Sequence, residues 1–329
     1  MPALFRALSL VALAFAAACA PLVASEGPEM RLPAIERVAD PASGMVADRY
    51  VTRDGLKLGL MHWDAEHPTA VIVGLHGMND YSNAFAMPAP FWKEQGISTY
   101  AYDQRGFGRS PNRGIWSGAD LMRRDLGDFV DVMRTRFPGV PVYVLGESMG
   151  GALAMSAFAS NMPPRADGMI LVAPAVWSRE TMPFFYGLAL WTTSHTFRWW
   201  SFTGSGLKIT PSDNIEMLRA LSRDPLVLKG TRTDTIYGLV SLMDEAYTAP
   251  SRLAKPPTLF LYGNNDQVIP KTPTQNVLKE LGANVTVKAY PKGYHMLLRD
   301  LDGKTRWADI ADWIAAQNRR RMGPAMAAQ

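Results

Sequence analysis

The sequence Val-Tyr-Val-Leu-Gly-Glu-Ser-Met-Gly-Gly occupies residues 142–151. Residues with strand propensity lead directly into the pattern Gly-x-Ser-x-Gly, and an Ala-rich helical stretch follows to about Ser160. A nucleophile elbow requires this order of strand, tight turn and helix, because the turn exposes the serine hydroxyl and the glycines let strand and helix approach closely. The pattern therefore predicts Ser148 as a nucleophile, although small residues between a strand and a helix also make ordinary tight connections.

The same turn predicts an oxyanion hole built from two backbone donors. The N–H of Met149 lies at the start of the predicted helix, where the helix dipole favours negative charge. The second donor is assigned to the N–H of Met78, which follows His76-Gly77 in the loop after the third predicted strand. His76 itself is predicted to be structural, because it precedes the nucleophile in the chain and a better base exists.

A serine nucleophile needs a base that takes its proton and a carboxylate that orients the base. In the chain order typical of this elbow, the serine is followed by the acid and then by the histidine. Asp266 and His295 each follow a predicted strand in that order, so they are predicted as the orienting acid and the general base. The rivals are His195 and Asp244, which lie in an insertion, and Asp300 and Asp302, which come after His295.

Strands and helices alternate along most of the chain, which predicts an α/β fold with a mostly parallel, doubly wound sheet. Between residues 176 and 249 the alternation stops, and a largely helical, aromatic-rich pattern indicates a lid inserted between two halves of the sheet. Nine Phe, Tyr and Trp residues are concentrated in its first part, namely Trp177, Phe184, Phe185, Tyr186, Trp191, Phe197, Trp199, Trp200 and Phe202. They form either the lid's own core, or an apolar channel or exposed surface that meets lipid.

The predicted organisation has six parts. They are a signal peptide over residues 1–25, an extended leader over 26–48, the first half of the core over 49–175, the lid over 176–249, the second half of the core over 250–322, and a flexible tail over 323–329. With 47% apolar and 19% charged residues, the chain is typical of a packed globular protein. Basic and aromatic residues are not interleaved, so nucleic-acid binding is not predicted.

The first 25 residues are predicted to direct export, because Arg6 precedes an apolar run too short for a stable membrane span. Cys19, the only cysteine, follows small residues at the end of that run. This arrangement resembles the lipobox of bacterial lipoproteins, in which the cysteine is lipidated, although Ala16 stands where leucine is commoner. The alternative is ordinary cleavage after Ser25, which removes Cys19. We expect a membrane-anchored lipoprotein of the bacterial cell envelope, or else a soluble periplasmic or secreted protein.

Taken together, the motifs resemble those of the serine-hydrolase branch of the α/β-hydrolase family, and more narrowly the monoacylglycerol lipase and lysophospholipase group. The resemblance covers roughly residues 45–320. It rests on residues 76–78 (His-Gly-Met), 103–110 (Asp-Gln-Arg-Gly-Phe-Gly-Arg-Ser), 146–151, 263–266 (Gly-Asn-Asn-Asp) and 293–295 (Gly-Tyr-His). It implies a helical lid over the site, no metal or organic cofactor, and a structural rather than catalytic role for Asp103. Residues 78–80 (Met-Asn-Asp) depart from the group's pattern beside the oxyanion hole.

We therefore expect a serine esterase that cleaves monoacylglycerol-like or lysophospholipid-like esters through an acyl-enzyme. Its expected partners are the ester substrate and a membrane surface, reached through the lipid anchor and the lid. The alternatives are a carboxylesterase or acyltransferase for small polar esters, an amidase, peptidase or haloperoxidase-like enzyme with the same triad, and a catalytically silent envelope binding protein. Epoxide hydrolases and dehalogenases are disfavoured, because they use an aspartate where Ser148 stands.

Overall fold

The computed structural model describes residues 20–29, 31–39, 46–206, 208–253, 256–282 and 284–322. Its strands are β1 (Ala34–Ala39), β2 (Val46–Val51), β3 (Lys57–Trp63), β4 (Ala70–Leu75), β5 (Ile97–Tyr102), β6 (Val142–Glu147), β7 (Gly168–Val172), β8 (Ser201–Phe202), β9 (Thr231–Arg232), β10 (Thr258–Gly263) and β11 (Val285–Tyr290). Its helices are α1 (Pro88–Glu94), α2 (Ala119–Arg136), α3 (Met149–Phe158), α4 (Phe184–Thr196), α5 (Ile215–Arg223), α6 (Thr233–Thr248), α7 (Lys271–Glu280) and α8 (Gly303–Met322).

Nine of the described strands form one sheet in the order β1-β2-β3-β5-β4-β6-β7-β10-β11. The first three pairings in that order are antiparallel, and the five from β5 to β11 are parallel. The predicted mostly parallel sheet is therefore present. Because parallel strands end at the same edge, the loops after β4, β6, β10 and β11 converge there, and these loops carry the predicted site.

Both faces of the sheet are covered, which explains why its central strands read as continuous apolar runs. Every residue of β4 and of β6 is buried. Along β4, Val71 and Val73 pack into the core that contains α2 and α3, while Ala70 and Ile72 face the opposite core, which contains α1 and α8. Full burial of one large aliphatic side chain stabilises the folded state by roughly 1.5–3 kcal/mol. The many buried side chains of the two cores therefore stabilise this arrangement of strands and helices.

The predicted extended leader over residues 26–48 contains a strand that the sequence analysis missed. β1 pairs with β2 at the antiparallel edge of the sheet, with Ile35 opposite Tyr50. The strand has a weak sequence signal because Glu36 and Arg37 interrupt its apolar residues and none of its six residues is fully buried. Most of the predicted signal peptide, including Cys19, and the predicted tail over 323–329 lie outside the described residues.

The insertion between β7 and β10 is mostly helical, as predicted, but it also contains the short antiparallel pair β8 and β9. Its last helix, α6, packs against α3 and contributes Val240, Leu242 and Met243 to the core. The part that stands apart from the core is therefore shorter than the predicted lid over 176–249. In the described ranges, no helix is both long and apolar enough to cross a membrane.

Candidate active site

The elbow at Ser148 is a strained turn between β6 and α3. Ser148 has φ 53° and ψ −115°, a conformation that costs a residue with a side chain about 1–3 kcal/mol. The flanking glycines allow the close approach that the turn requires. A Cβ added to Gly146 would lie 2.3 Å from the carbonyl oxygen of Gly150, and one added to Gly150 would lie 2.2 Å from that of Leu75.

The three predicted triad residues lie together at the carboxyl edge of the sheet. His295 Nε2 is 2.9 Å from Ser148 Oγ, and His295 Nδ1 is 2.8 Å from Asp266 Oδ2. The side chains of His295 and Asp266 are more than nine-tenths buried, whereas Ser148 is half-buried. With Nδ1 donating to the carboxylate, Nε2 is free to accept the serine proton, which is the arrangement that general-base activation needs.

Asp266 and His295 meet because β10 and β11 are parallel neighbours. The loops that follow them are joined by the N–H of Asn265, which donates to the carbonyl of Gly293 at 2.9 Å. Asp266 is oriented by its other oxygen, Oδ1, which accepts the N–H groups of Val268 and Ile269 at 2.8 and 3.0 Å. These bonds leave Oδ2 directed at the imidazole.

Met78 and Met149, the predicted oxyanion donors, lie on the two loops that flank the serine hydroxyl. Met149 is the first residue of α3, and Met78 follows Gly77, where an added Cβ would lie 3.4 Å from Ser148 Cβ. His76 holds this loop: its Nδ1 donates to Gly77 O at 2.8 Å, and its Nε2 accepts the N–H of Gln104 at 2.9 Å. Burial lowers the pKa of His76, so its imidazole stays neutral, as this pair of bonds requires.

The structure brings none of the rival residues to Ser148. His195 stacks on Trp191 of α4, at 4.7 Å between ring centroids. Asp300 accepts from Ser212 Oγ and from the N–H of Tyr294. Asp302 pairs with Arg306, Asp244 pairs with Arg179, and the carboxylate of Asp103 accepts the N–H groups of Ser82 and Arg109.

A buried ionic cluster beside the site was not anticipated from the sequence. Arg299 Nη1 lies 2.7 Å from Asp80 Oδ2, and Arg299 Nη2 donates to Glu147 Oε2 at 3.0 Å. Burial raises the pKa of Glu147, which Arg299 opposes. Burial acts to lower the pKa of Arg299, but the two carboxylates raise it overall. The available signal was that each of these residues lies within four positions of a predicted site residue.

Within the described part of the chain, no group of three or more His, Cys, Asp or Glu side chains is arranged to hold a metal ion. A serine hydroxyl, an oriented imidazole and two adjacent amide positions are suited to nucleophilic attack on a carbonyl group.

Comparisons with known proteins identify the family and the relatives of the chain. The sequence profile of the family described as "Serine aminopeptidase, S33" (Hydrolase_4) matches residues 66–302. The chain is 27% identical over 268 residues to a monoacylglycerol lipase from Mycolicibacterium smegmatis, covering 76% of this chain and 89% of that protein. It is also 27% identical over 279 residues to the monoglyceride lipase of Homo sapiens, covering 80% of this chain and 89% of that protein.

Among solved structures, a soluble variant of monoglyceride lipase from Saccharomyces cerevisiae, in complex with a substrate analog, superposes with a TM-score of 0.70. The match has 17% sequence identity and covers 89% of this chain and 99% of that one. At this identity the likeness concerns the fold, and it confirms the predicted α/β-hydrolase fold.

Proposed function

The chain belongs to the serine aminopeptidase S33 family of α/β-hydrolases, and from this membership we propose that it is a serine hydrolase that cleaves lipid-like carboxylic esters through an acyl-enzyme. Ester hydrolysis and the likeness to monoacylglycerol lipases follow from its relatives. The observation that carries the proposed mechanism is the hydrogen-bonded chain from Ser148 Oγ through His295 to Asp266.

In the proposed mechanism, His295 Nε2 takes the proton from Ser148 Oγ as that oxygen attacks the ester carbonyl carbon. The backbone N–H groups of Met78 and Met149 stabilise the oxyanion, and His295 then protonates the leaving alcohol. A water that is deprotonated by the same imidazole releases the acid and restores the serine. Asp266 holds the imidazole in the tautomer that these proton transfers require.

Two observations support a lipid-like substrate. The curated relatives named above are monoacylglycerol and monoglyceride lipases. The lid also presents its aromatic side chains outward rather than enclosing them as a core of its own. Eight of the nine aromatic residues between 177 and 202 are exposed, namely Phe184, Phe185, Tyr186, Trp191, Phe197, Trp199, Trp200 and Phe202. We call this set the aromatic patch.

Hydrolysis rates on esters of increasing acyl length test the substrate class. We expect kcat/KM for monoacylglycerols to rise from butyrate to long-chain esters, because each buried methylene contributes up to about 0.8 kcal/mol of binding. Lysophospholipids of the same acyl length, assayed in parallel, separate the two head groups. A maximum at acetate or butyrate would instead identify a carboxylesterase for small polar esters. Amide substrates cleaved faster than the matching esters would identify a peptidase or amidase.

We further propose that the aromatic patch contacts a lipid surface. Exposed apolar patches on soluble proteins mark interaction sites, and aromatic rings are favoured at membrane interfaces. The first described residues support this orientation, because Arg198, between two aromatic residues of the patch, donates to the carbonyl of Ala20 at 3.0 Å. An anchor on the preceding residue, Cys19, would therefore attach beside the patch.

Vesicle binding by the protein produced without residues 1–19 tests the patch apart from any anchor. Substituting Phe184→Ser and Trp191→Ser together is expected to weaken partitioning into phosphatidylcholine–phosphatidylglycerol vesicles at least tenfold, with an unchanged melting temperature, because both side chains are exposed. Met162→Ser, which changes an exposed apolar side chain in the 159–167 connection after α3, is the control and should bind normally. Equal binding by both variants would contradict the proposal.

Export as a lipoprotein stays a prediction. Residues 22–24 dock on the body, where the N–H of Ala24 donates to Trp116 O at 2.9 Å and the N–H of Leu22 lies 3.4 Å from Asp234 Oδ2. Cleavage after Ser25 would remove both bonds, whereas cleavage before Cys19 would keep them. Mass spectrometry of the N-terminal peptide from the membrane fraction distinguishes a diacylated Cys19 from an N-terminal Glu26.

A further inference from the structure

The three loops that carry the proposed reacting groups each contribute one member to the buried cluster of Asp80, Glu147 and Arg299. Asp80 lies two residues after Met78, Glu147 directly precedes Ser148, and Arg299 follows His295 by four positions. These loops come from β4, β6 and β11, which are distant in the chain. A single guanidinium therefore touches all three.

The contacts of the cluster are short and shielded from solvent. Asp80, Glu147 and Arg299 are each at least 95% buried. Besides its ion pair with Arg299 at 2.7 Å, Asp80 accepts the N–H of Tyr81 through Oδ1 at 2.9 Å. The planar guanidinium directs separate nitrogens to the two acids, a geometry that a lysine ammonium does not reproduce.

Stability alone is a poor explanation for this arrangement. The cluster buries two carboxylates around one cation, and removing charges from water typically costs as much as their attraction returns. Three of its polar atoms, Asp80 Oδ2, Glu147 Oε1 and Arg299 Nε, also have no hydrogen-bond partner among the described residues, although Asp80 Oδ2 forms the ion pair with Arg299. A cluster optimised for folding would pair these atoms or replace the charges with apolar side chains.

We propose that Arg299 is a positioning residue, which holds the oxyanion loop, the nucleophile elbow and the histidine loop in catalytic register through Asp80 and Glu147. The inference rests on the proposed function, because it assigns Arg299 to the geometry of that same site. Reacting groups tolerate little displacement, since a shift of about 1 Å can cost about 100-fold in rate. Arg299 acts through its neighbours and has no contact with the reacting atoms.

The test measures the rate at which a small fluorophosphonate modifies Ser148, followed by kcat and KM on a soluble ester. Arg299→Lys is expected to slow phosphonylation and lower kcat by ten- to a hundredfold, with KM within about threefold, because positioning affects the chemical step. Arg105→Lys is the matched control. Arg105 is also buried between two carboxylates, but the hydrogen bonds of its guanidinium go to Asp54 and Asp125, which lie outside the three loops.

Glu147→Gln separates positioning from folding, and it is the variant least prone to unfold because the two side chains have the same shape. The substitution removes one of the two carboxylates that surround the Arg299 guanidinium. Burial raises the pKa of the Glu147 carboxyl, so its negative charge is costly to keep in the folded protein. Its melting temperature should hold or rise while phosphonylation slows about threefold or more.

Rates within twofold of wild type in Arg299→Lys and Glu147→Gln would overturn the inference. So would equal slowing in Arg105→Lys. No modification of wild-type Ser148 at all would overturn the proposed function and, with it, the inference.

Discussion

Ser148→Ala is expected to lower kcat for ester hydrolysis by about 10⁴-fold or more, with little change in the affinity for substrate. The variant lacks the oxygen that becomes the acyl-enzyme ester, so only oxyanion stabilisation and binding remain to accelerate the reaction. Steady-state kinetics on the best monoacylglycerol, with intact-mass measurement after fluorophosphonate treatment, check both the rate and the loss of the modification site. Activity that survives in this variant would rule out Ser148 as the nucleophile.

Ser148→Gly gives a second readout from the same position. The backbone at Ser148 has φ 53°, a conformation that glycine adopts without strain. We expect this variant to be as inactive as Ser148→Ala but more stable than Ser148→Ala by about 1 kcal/mol, because only glycine relieves the strain. Ser160→Ala, at the end of α3, is the control for removing a serine hydroxyl and should retain normal turnover.

Asp266→Asn is expected to lower kcat by about 10³- to 10⁴-fold while the protein stays folded. The amide oxygen can still accept the N–H groups of Val268 and Ile269, so the loop keeps its shape. The amide NH₂ then faces His295 Nδ1, which favours the tautomer with its proton on Nε2, and that tautomer cannot accept the proton of Ser148. Comparing kcat with the thermal unfolding curve separates this effect from misfolding.

Asp302→Asn is the control for Asp266→Asn, because Asp302 is a rival acid that lies beyond His295 in the chain. Its side chain is largely exposed and pairs with Arg306 rather than with the imidazole. We expect kcat within about twofold of wild type, because the hydrogen bonds of the Asp302 side chain go to Thr305 and Arg306 rather than to the triad. If Asp302→Asn were the more damaging variant, the assignment of the orienting acid would have to change.

The elements of the sheet could be predicted closely, because buried parallel strands and amphipathic helices leave strong periodic patterns. The predicted strand, turn and helix around Ser148 agree with the observed elements β6 and α3, and the predicted fold class and family resemblance are confirmed by the comparisons. The missed strand β1 has no fully buried residue, and two adjacent charged residues interrupt its apolar run, so it lacked such a pattern. Likewise, the burial of α6 depends on its contact with α3, which its own sequence does not specify.

The candidate site also contains residues that could be predicted from sequence motifs and residues that only the structure revealed. Ser148, Asp266 and His295 were predicted from motifs, and the structure brings them together, although their catalytic roles stay predictions. The nine aromatic residues between 177 and 202 had two open interpretations, and only the observed exposure of eight of them favours a lipid-facing surface. The function of Arg299 was invisible to motif reasoning, because its partners lie 152 residues away at Glu147 and still further away at Asp80.

Three features of this protein follow from its sequence alone. They are the glycines that permit a strained turn, the apolar runs that require burial, and the chain order of serine, acid and histidine. Tertiary packing alone decides which distant groups meet. Ser148 and His295 are 147 residues apart, and their contact depends on the order of β6, β7, β10 and β11 within the sheet. Tertiary packing also determines which charged groups are buried and therefore need a partner, and which aromatic rings stay exposed to solvent. The cost of desolvation depends on neighbours from every part of the chain.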